Sequence, residues 1–151
     1  MIYDRTQQDI DAATLIRKKL QVGEVLTDSD IEQLQRGCLT IETLNRIEQK
    51  QAELKGLLNS LGYWNTESVL SDLWSYEKIF KQEDFNRILR NLSSLRESFY
   101  VYYNTPAIQD SNFSKFETIN AVERILSDME SVVNEIKNNF RFCGVSECKN
   151  D

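Results

Sequence analysis

The chain has 151 residues, 40% of them apolar and 28% charged, with a formal net charge of −6 and no histidine. That length and apolar fraction fit one small globular domain, and a surface of that sign repels nucleic-acid phosphates unless a basic stripe offsets it; none is visible in the sequence, so nucleic acid is not an expected partner. Having no histidine removes the commonest general base and metal ligand, and one proline with five glycines speaks for long uninterrupted helices over a turn-rich β protein.

The chain starts without a charged stretch leading into an apolar one, and no apolar run approaches the roughly 18–20 residues that span a bilayer. A soluble protein of a reducing compartment, with no membrane insertion, is therefore expected. Over Thr6–Leu20 the apolar residues Ile10, Ala13, Ile16 and Leu20 share one helical face, and Gly23 breaks the pattern. Thr27, with Asp30 three residues on, predicts a short helix that stops at Gly37. Thr40 caps a longer one, about 41–61, with a seam of Leu44, Ile47, Gln51, Leu54, Leu58 and Leu61, closed by Gly62.

The connection that follows holds Trp64, Trp74, Tyr76, Ile79 and Phe80; a short helix at about Glu67–Leu73 and aromatic packing over one end of the bundle are expected there. A second long helix, about 82–103, carries Phe85, Ile88, Leu92, Leu95, Phe99 and Tyr102 and must stop before Thr105-Pro106. Ser114 and Glu117 form a capping-box pattern ahead of a third, about 115–141, with Ile119, Val122, Leu126, Met129, Val133, Ile136 and Phe140. The expected organisation is all-α: one helical-bundle domain over 1–142, with shorter N-terminal and connector helices beside the three long ones, and a polar tail over 143–151.

The three long helices open on related segments, ETLNRIE (42–48), EDFNRIL (83–89) and ETINAVE (117–123). The offsets between them differ, so this is one helical unit used three times, not a regular solenoid. Three apolar stripes can cover one another, which gives a three-helix bundle; successive helices are expected to be antiparallel. Asparagine is a poor interior helix residue because its amide competes for backbone partners. Its recurrence at Asn45, Asn86 and Asn120 suggests fasteners, each tying a helix start to a neighbouring loop by amide-to-backbone hydrogen bonds. A direct functional role and plain coincidence are the other readings.

YDRTQQDI near the start, then LTIETLNRIEQKQAELKGLLNSLGY and WSYEKIFKQEDFNRILRNLSSLRESF in order, resemble a segment of minor structural and tail-associated proteins of tailed bacteriophages and prophages of Gram-positive bacteria. The resemblance spans about Tyr3 to Thr105, and more loosely the third helix. Its matching positions are Tyr3, Asp4, Arg5, Asn45, Arg46, Trp74, Asn86 and Arg87, with Ala121 standing where a third arginine would fall. It implies a virion or tail-assembly component, in the particle or in the bacterial cytoplasm during assembly. Such a component contacts other phage structural proteins or itself and carries no catalytic, metal or cofactor residues. A cytoplasmic adaptor or regulator whose acidic surface engages a basic partner is the alternative.

Other candidates are weaker. Cys143 and Cys148, around Gly144, read first as free thiols on a frayed terminus; a local disulfide is geometrically open to them, and a metal shared between copies is the third reading. Cys38 reads as half-buried packing. Carboxylate pairs such as Glu42/Glu48 and Asp28/Asp30 read as macrodipole and solubility features, and DSD lacks the rest of a calcium loop. In FYVYYNTP, Tyr100, Val101 and Tyr103 point away from the seam and form a candidate interface, unless other parts of the chain cover them.

Overall fold

The computed structural model describes residues 1–64, 73–108 and 112–139, and it is all-α, with five helices and no strand among the described residues. α1 (Gln7–Gln21) starts where Thr6 is extended: the Thr6 hydroxyl accepts from the Asp9 N–H, and the Asp9 carboxylate accepts from the Thr6 N–H at 2.7 Å. α2 (Asp28–Gly37) repeats the device with Thr27 and Asp30. Each box satisfies N–H groups that the first turn leaves unpaired. Gly23, at φ +80°, supplies the left-handed turn between them.

The two helices form an antiparallel hairpin. Arg36 near the end of α2 meets Asp9 near the start of α1 at 2.8 Å, and Lys19 near the end of α1 meets Asp30 at 3.0 Å. Gly37 sets how closely they approach: a Cβ there would lie 2.2 Å from the Asp9 carbonyl oxygen and 2.5 Å from the Ala13 Cβ. Only a residue without a side chain lets the end of α2 rest on the backbone of α1.

α3 (Ile41–Ser60), α4 (Gln82–Glu97) and α5 (Phe116–Asn139) meet around the main core. Leu44, Ile47, Leu54 and Leu58 from α3 pack with Phe85, Ile88, Leu92 and Leu95 from α4 and Ile119, Val122, Leu126, Met129 and Val133 from α5. These are the positions of the three- and four-residue spacing, and each such side chain contributes roughly 1.5–3 kcal/mol by leaving water. Gln51 occupies the polar place in the α3 seam. Its amide is fully buried and donates to the Ile88 carbonyl at 2.9 Å, tying α3 to α4.

The expected antiparallel order is wrong. Arg46 pairs with Glu123 and Lys50 with Glu130, so α3 and α5 run the same way. Glu48 meets Arg87, Gln51 meets Ile88, and Tyr63 beyond α3 stacks edge-on with Phe99 beyond α4, which aligns α4 with both. The reason lies in the links, 61–81 and 98–115. At about 3.3 Å per extended residue each can retrace a helix that rises about 1.5 Å per residue, whereas an antiparallel neighbour needs only a short turn.

The retracing is visible after α4. That helix ends at Glu97, short of the expected 103, and the chain then runs back along α5: Tyr102 donates to Glu135 at 2.7 Å and Thr105 to Asp128 at 2.8 Å. The run Phe99–Tyr103 is aromatic and β-branched and fits an extended strap better than a helix. Arg96 holds the returning strap by donating to the Pro106 carbonyl.

The start of α5 is one residue later than the Ser114 pattern suggests, with the Lys115 carbonyl accepting from Ile119. The connector helix expected at Glu67–Leu73 lies outside the described residues, except that Leu73 itself is not helical. Of the large apolar residues in the connector, Trp74 is buried, and Phe80 stacks edge-on against Trp74, Phe85 and Phe113; Trp64, Tyr76 and Ile79 face solvent. The last expected turn, including Phe140, and the polar tail lie outside the described residues.

Candidate functional site

Because α3, α4 and α5 run in parallel, the three related segments gather at one end of the molecule. Asn45 uses both halves of its amide there: Nδ2 donates to the Trp74 carbonyl at 3.1 Å, and Oδ1 accepts from the Trp74 N–H at 2.7 Å. Asn120 does the same to Arg5, donating to its carbonyl at 2.9 Å and accepting from its N–H at 3.3 Å. A carboxamide has one donor edge and one acceptor edge, as a peptide unit has, so it can pair with a single residue of extended backbone as a strand would. Asn86 occupies the matching place in α4, but its Oδ1 accepts from Gln82 Nε2 at 2.9 Å, one turn earlier in the same helix. No bond from Asn86 to a loop is found among the described residues.

The residues beside the asparagines form a second layer, of charge. One place after Asn45 and Asn86 stand Arg46 and Arg87; three places after Asn45 and Asn120 stand Glu48 and Glu123. Arg46 donates twice to Glu123 Oε1, at 3.0 and 2.6 Å, and Arg87 donates to Glu48 at 2.6 Å. Each arginine thus reaches the glutamate of the next helix in one rotational sense. The third place in this ring holds Ala121 and Leu89 instead, so neither charge is written there; both line an open cavity of about 490 Å³ with Pro106, Ile108, Val122 and Ile125, and with Lys115 and Glu117. Glu48 and Glu123 are therefore buried internal partners, and the expectation of a solubilising surface role for Glu48 is corrected. Glu42, six residues before Glu48, does stay exposed; its carboxyl is held below the usual range by its own backbone N–H and by Thr40.

Glu123 has one more partner, which the sequence pattern alone did not reveal. Arg5, from the segment before α1, buries its guanidinium against the second carboxylate oxygen of Glu123, while its Nε donates to the Arg36 carbonyl at 3.0 Å. The neighbours of Arg5 are engaged as well. Asp4 pairs with Arg36 at 3.0 Å, and the Tyr3 ring lies 5.0 Å beneath the Arg124 guanidinium. Hydrogen bonds from Thr6, with Arg36 nearby, lower the Asp9 carboxyl, and Asp4 and Asp9 together raise Arg36. The Tyr3-Asp4-Arg5 element thus fastens the start of α5 to the foot of the hairpin. A buried carboxylate gripped by two guanidinium groups is fixed in place, which suits positioning.

The outward surface is different in kind. Tyr100 is 78% exposed and Tyr103 wholly so, whereas Val101 is half-buried against the core. Leu73, Tyr76, Ile79 and Trp64 also face solvent. Cys143 and Cys148 lie outside the described residues, and Cys38 is a free, half-buried thiol. No group of three histidine, cysteine or carboxylate side chains placed to hold a metal occurs among the described residues. No helix among them is long and apolar enough to cross a membrane. No family model, no curated protein and no solved structure matches this chain.

Proposed function

We propose that this chain is a structural component of a tailed bacteriophage or prophage, tail-associated or acting in virion assembly, that works through protein–protein contact and not through catalysis. In this reading α3, α4 and α5 form a bundle of three long helices whose polar ends are locked from within, and the outer face meets other phage proteins or copies of the chain. The observation that carries it is the division of labour among side chains. The recurrent polar residues Asn45, Asn120, Arg46, Arg87, Glu48 and Glu123 spend their bonds inside the molecule, while large apolar ones, Tyr76, Ile79, Tyr100 and Tyr103, stand in solvent. Aromatic side chains exposed on a rigid frame are the usual anchors of protein interfaces. The sequence resemblance to tail-associated proteins supplies the setting.

The test is fractionation of purified particles from a producing strain. The chain is expected in virions at a fixed ratio to the tail proteins, and a Tyr100→Ser/Tyr103→Ser variant is expected to fold normally but drop out of them. Its absence from particles, with the protein remaining in the cell extract, would refute the reading. The net charge of −6 and the sequence pI of about 4.8 favour one other reading, an adaptor binding a basic partner. That complex would be cytoplasmic and would weaken steeply with salt.

A further inference from the structure

We propose that the tip of the α1–α2 hairpin is a self-association surface that docks on the same tip of a second copy about a two-fold axis. The inference stands on the hairpin alone and does not depend on a place in a phage particle. Two antiparallel helices cannot close an apolar seam by themselves. At the foot, where Gly37 lets the helices touch, Ala13 and Ile16 are buried. Toward the tip the same seam opens: Leu20 is 50% exposed and Ile31 44%, and in and beside the turn Val22 and Val25 are exposed further still. Scattered apolar side chains are ordinary on a surface, but these cluster at one end of one supersecondary unit, on the face that already begins a core.

Charge identifies the occupant. Residues 17–32 carry Arg17, Lys18 and Lys19 on α1 against Glu24, Asp28, Asp30 and Glu32 in the turn and on α2, close to balance in a chain whose net charge is −6. The signs are sorted by helix, and the Lys19–Asp30 pair at 3.0 Å fixes the basic edge beside the acidic one. A partner of single sign would match one edge and be repelled by the other. A two-fold copy matches both, since residue i of one tip meets residue j of the other and the reverse. A tip of this size falls at the small end of interfaces, below about 1,200 Å² in total, so a weak, concentration-dependent dimer is expected.

Sedimentation equilibrium on the full chain, up to about 1 mM, measures it at the concentrations where such small interfaces associate. The native protein is expected to dimerise reversibly; a strict monomer throughout the range overturns the proposal and leaves the tip to another occupant. Arg17→Glu/Lys18→Glu and Glu24→Lys/Glu32→Lys variants are each expected to dimerise at least about tenfold more weakly, and to form a heterodimer when mixed. Dimers that persist unchanged in both variants, or no recovery on mixing, overturn it too. Val25→Lys, at a nearly fully exposed turn position where folding is not at stake, is expected to weaken the dimer; no change counts against the tip as the interface.

Discussion

Replacing Glu123 by glutamine tests whether the polar ring holds the helix starts together. Glu123 is fully buried and accepts two hydrogen bonds from Arg46 and one from Arg5. A glutamine there would keep the volume and lose the charge. The Arg5 guanidinium, only 3% exposed, would then be a buried cation whose other bonds go to carbonyl oxygens and the Asn120 amide. Breaking a buried pair from one side costs about 3–5 kcal/mol, a large share of the roughly 5–15 kcal/mol that holds a domain folded. Arg46→Gln leaves Glu123 paired with Arg5, and at a position 34% exposed water can reach the vacated contact, so it should cost less, about 1 kcal/mol. Urea unfolding followed by circular dichroism should therefore show a far lower midpoint for Glu123→Gln than for Arg46→Gln. On heating, a melting point roughly 10 °C lower is expected for a chain of this length. Equal and small losses, both under about 1 kcal/mol, would mean that the ring is incidental and the apolar core alone aligns the helices.

Asn45→Ala should leave the Trp74 N–H and carbonyl without their partner, costing about 1–3 kcal/mol and shifting tryptophan emission to the red as Trp74 loosens; unchanged fluorescence and stability would argue against the fastener. Gly37→Ala places a Cβ against the Asp9 carbonyl oxygen, which cannot move aside as a side chain would. It should cost about 1–3 kcal/mol, with hydrogen exchange rising in α1 and α2 while the core of α3–α5 stays protected. The Asp30 carboxyl is lowered to about 2, chiefly by the Thr27 N–H and hydroxyl, with Lys19 adding to it. Because it is more acidic folded than unfolded, its contribution is complete above about pH 4 and is lost as the pH falls toward 2. The stability gap between the native protein and Asp30→Asn should be constant near neutrality and close over that acid range; a gap that widens there would contradict the cap.

Much of the local structure was legible in the sequence. The Thr27 and Thr40 caps, Gly37 as a stop and the seams of α3, α4 and α5 up to Leu95 are all found where spacing and cap chemistry put them. These features depend on residues within a few positions of one another, so one strand of letters contains the whole cause. The end of α4 was misread because the seam continues in register through Phe99 and Tyr102, which are held by Tyr63 and Glu135, residues distant in the chain. The site was legible in part. The repeated asparagines stood out by their poor fit to a helix interior, whereas Arg5 and Glu123, 118 positions apart, gave no sign that they meet.

What the sequence determined by itself is that the chain makes amphipathic helices, where most of them begin, and which face of each turns inward. The direction in which those faces come together was decided only in three dimensions. A stripe of leucines covers another stripe equally well in either orientation, so burial alone does not choose. The choice falls to links long enough to retrace each helix, and to directional bonds that can form only when the helix starts lie side by side: Asn45 to Trp74, Asn120 to Arg5, and Glu123 to both Arg5 and Arg46.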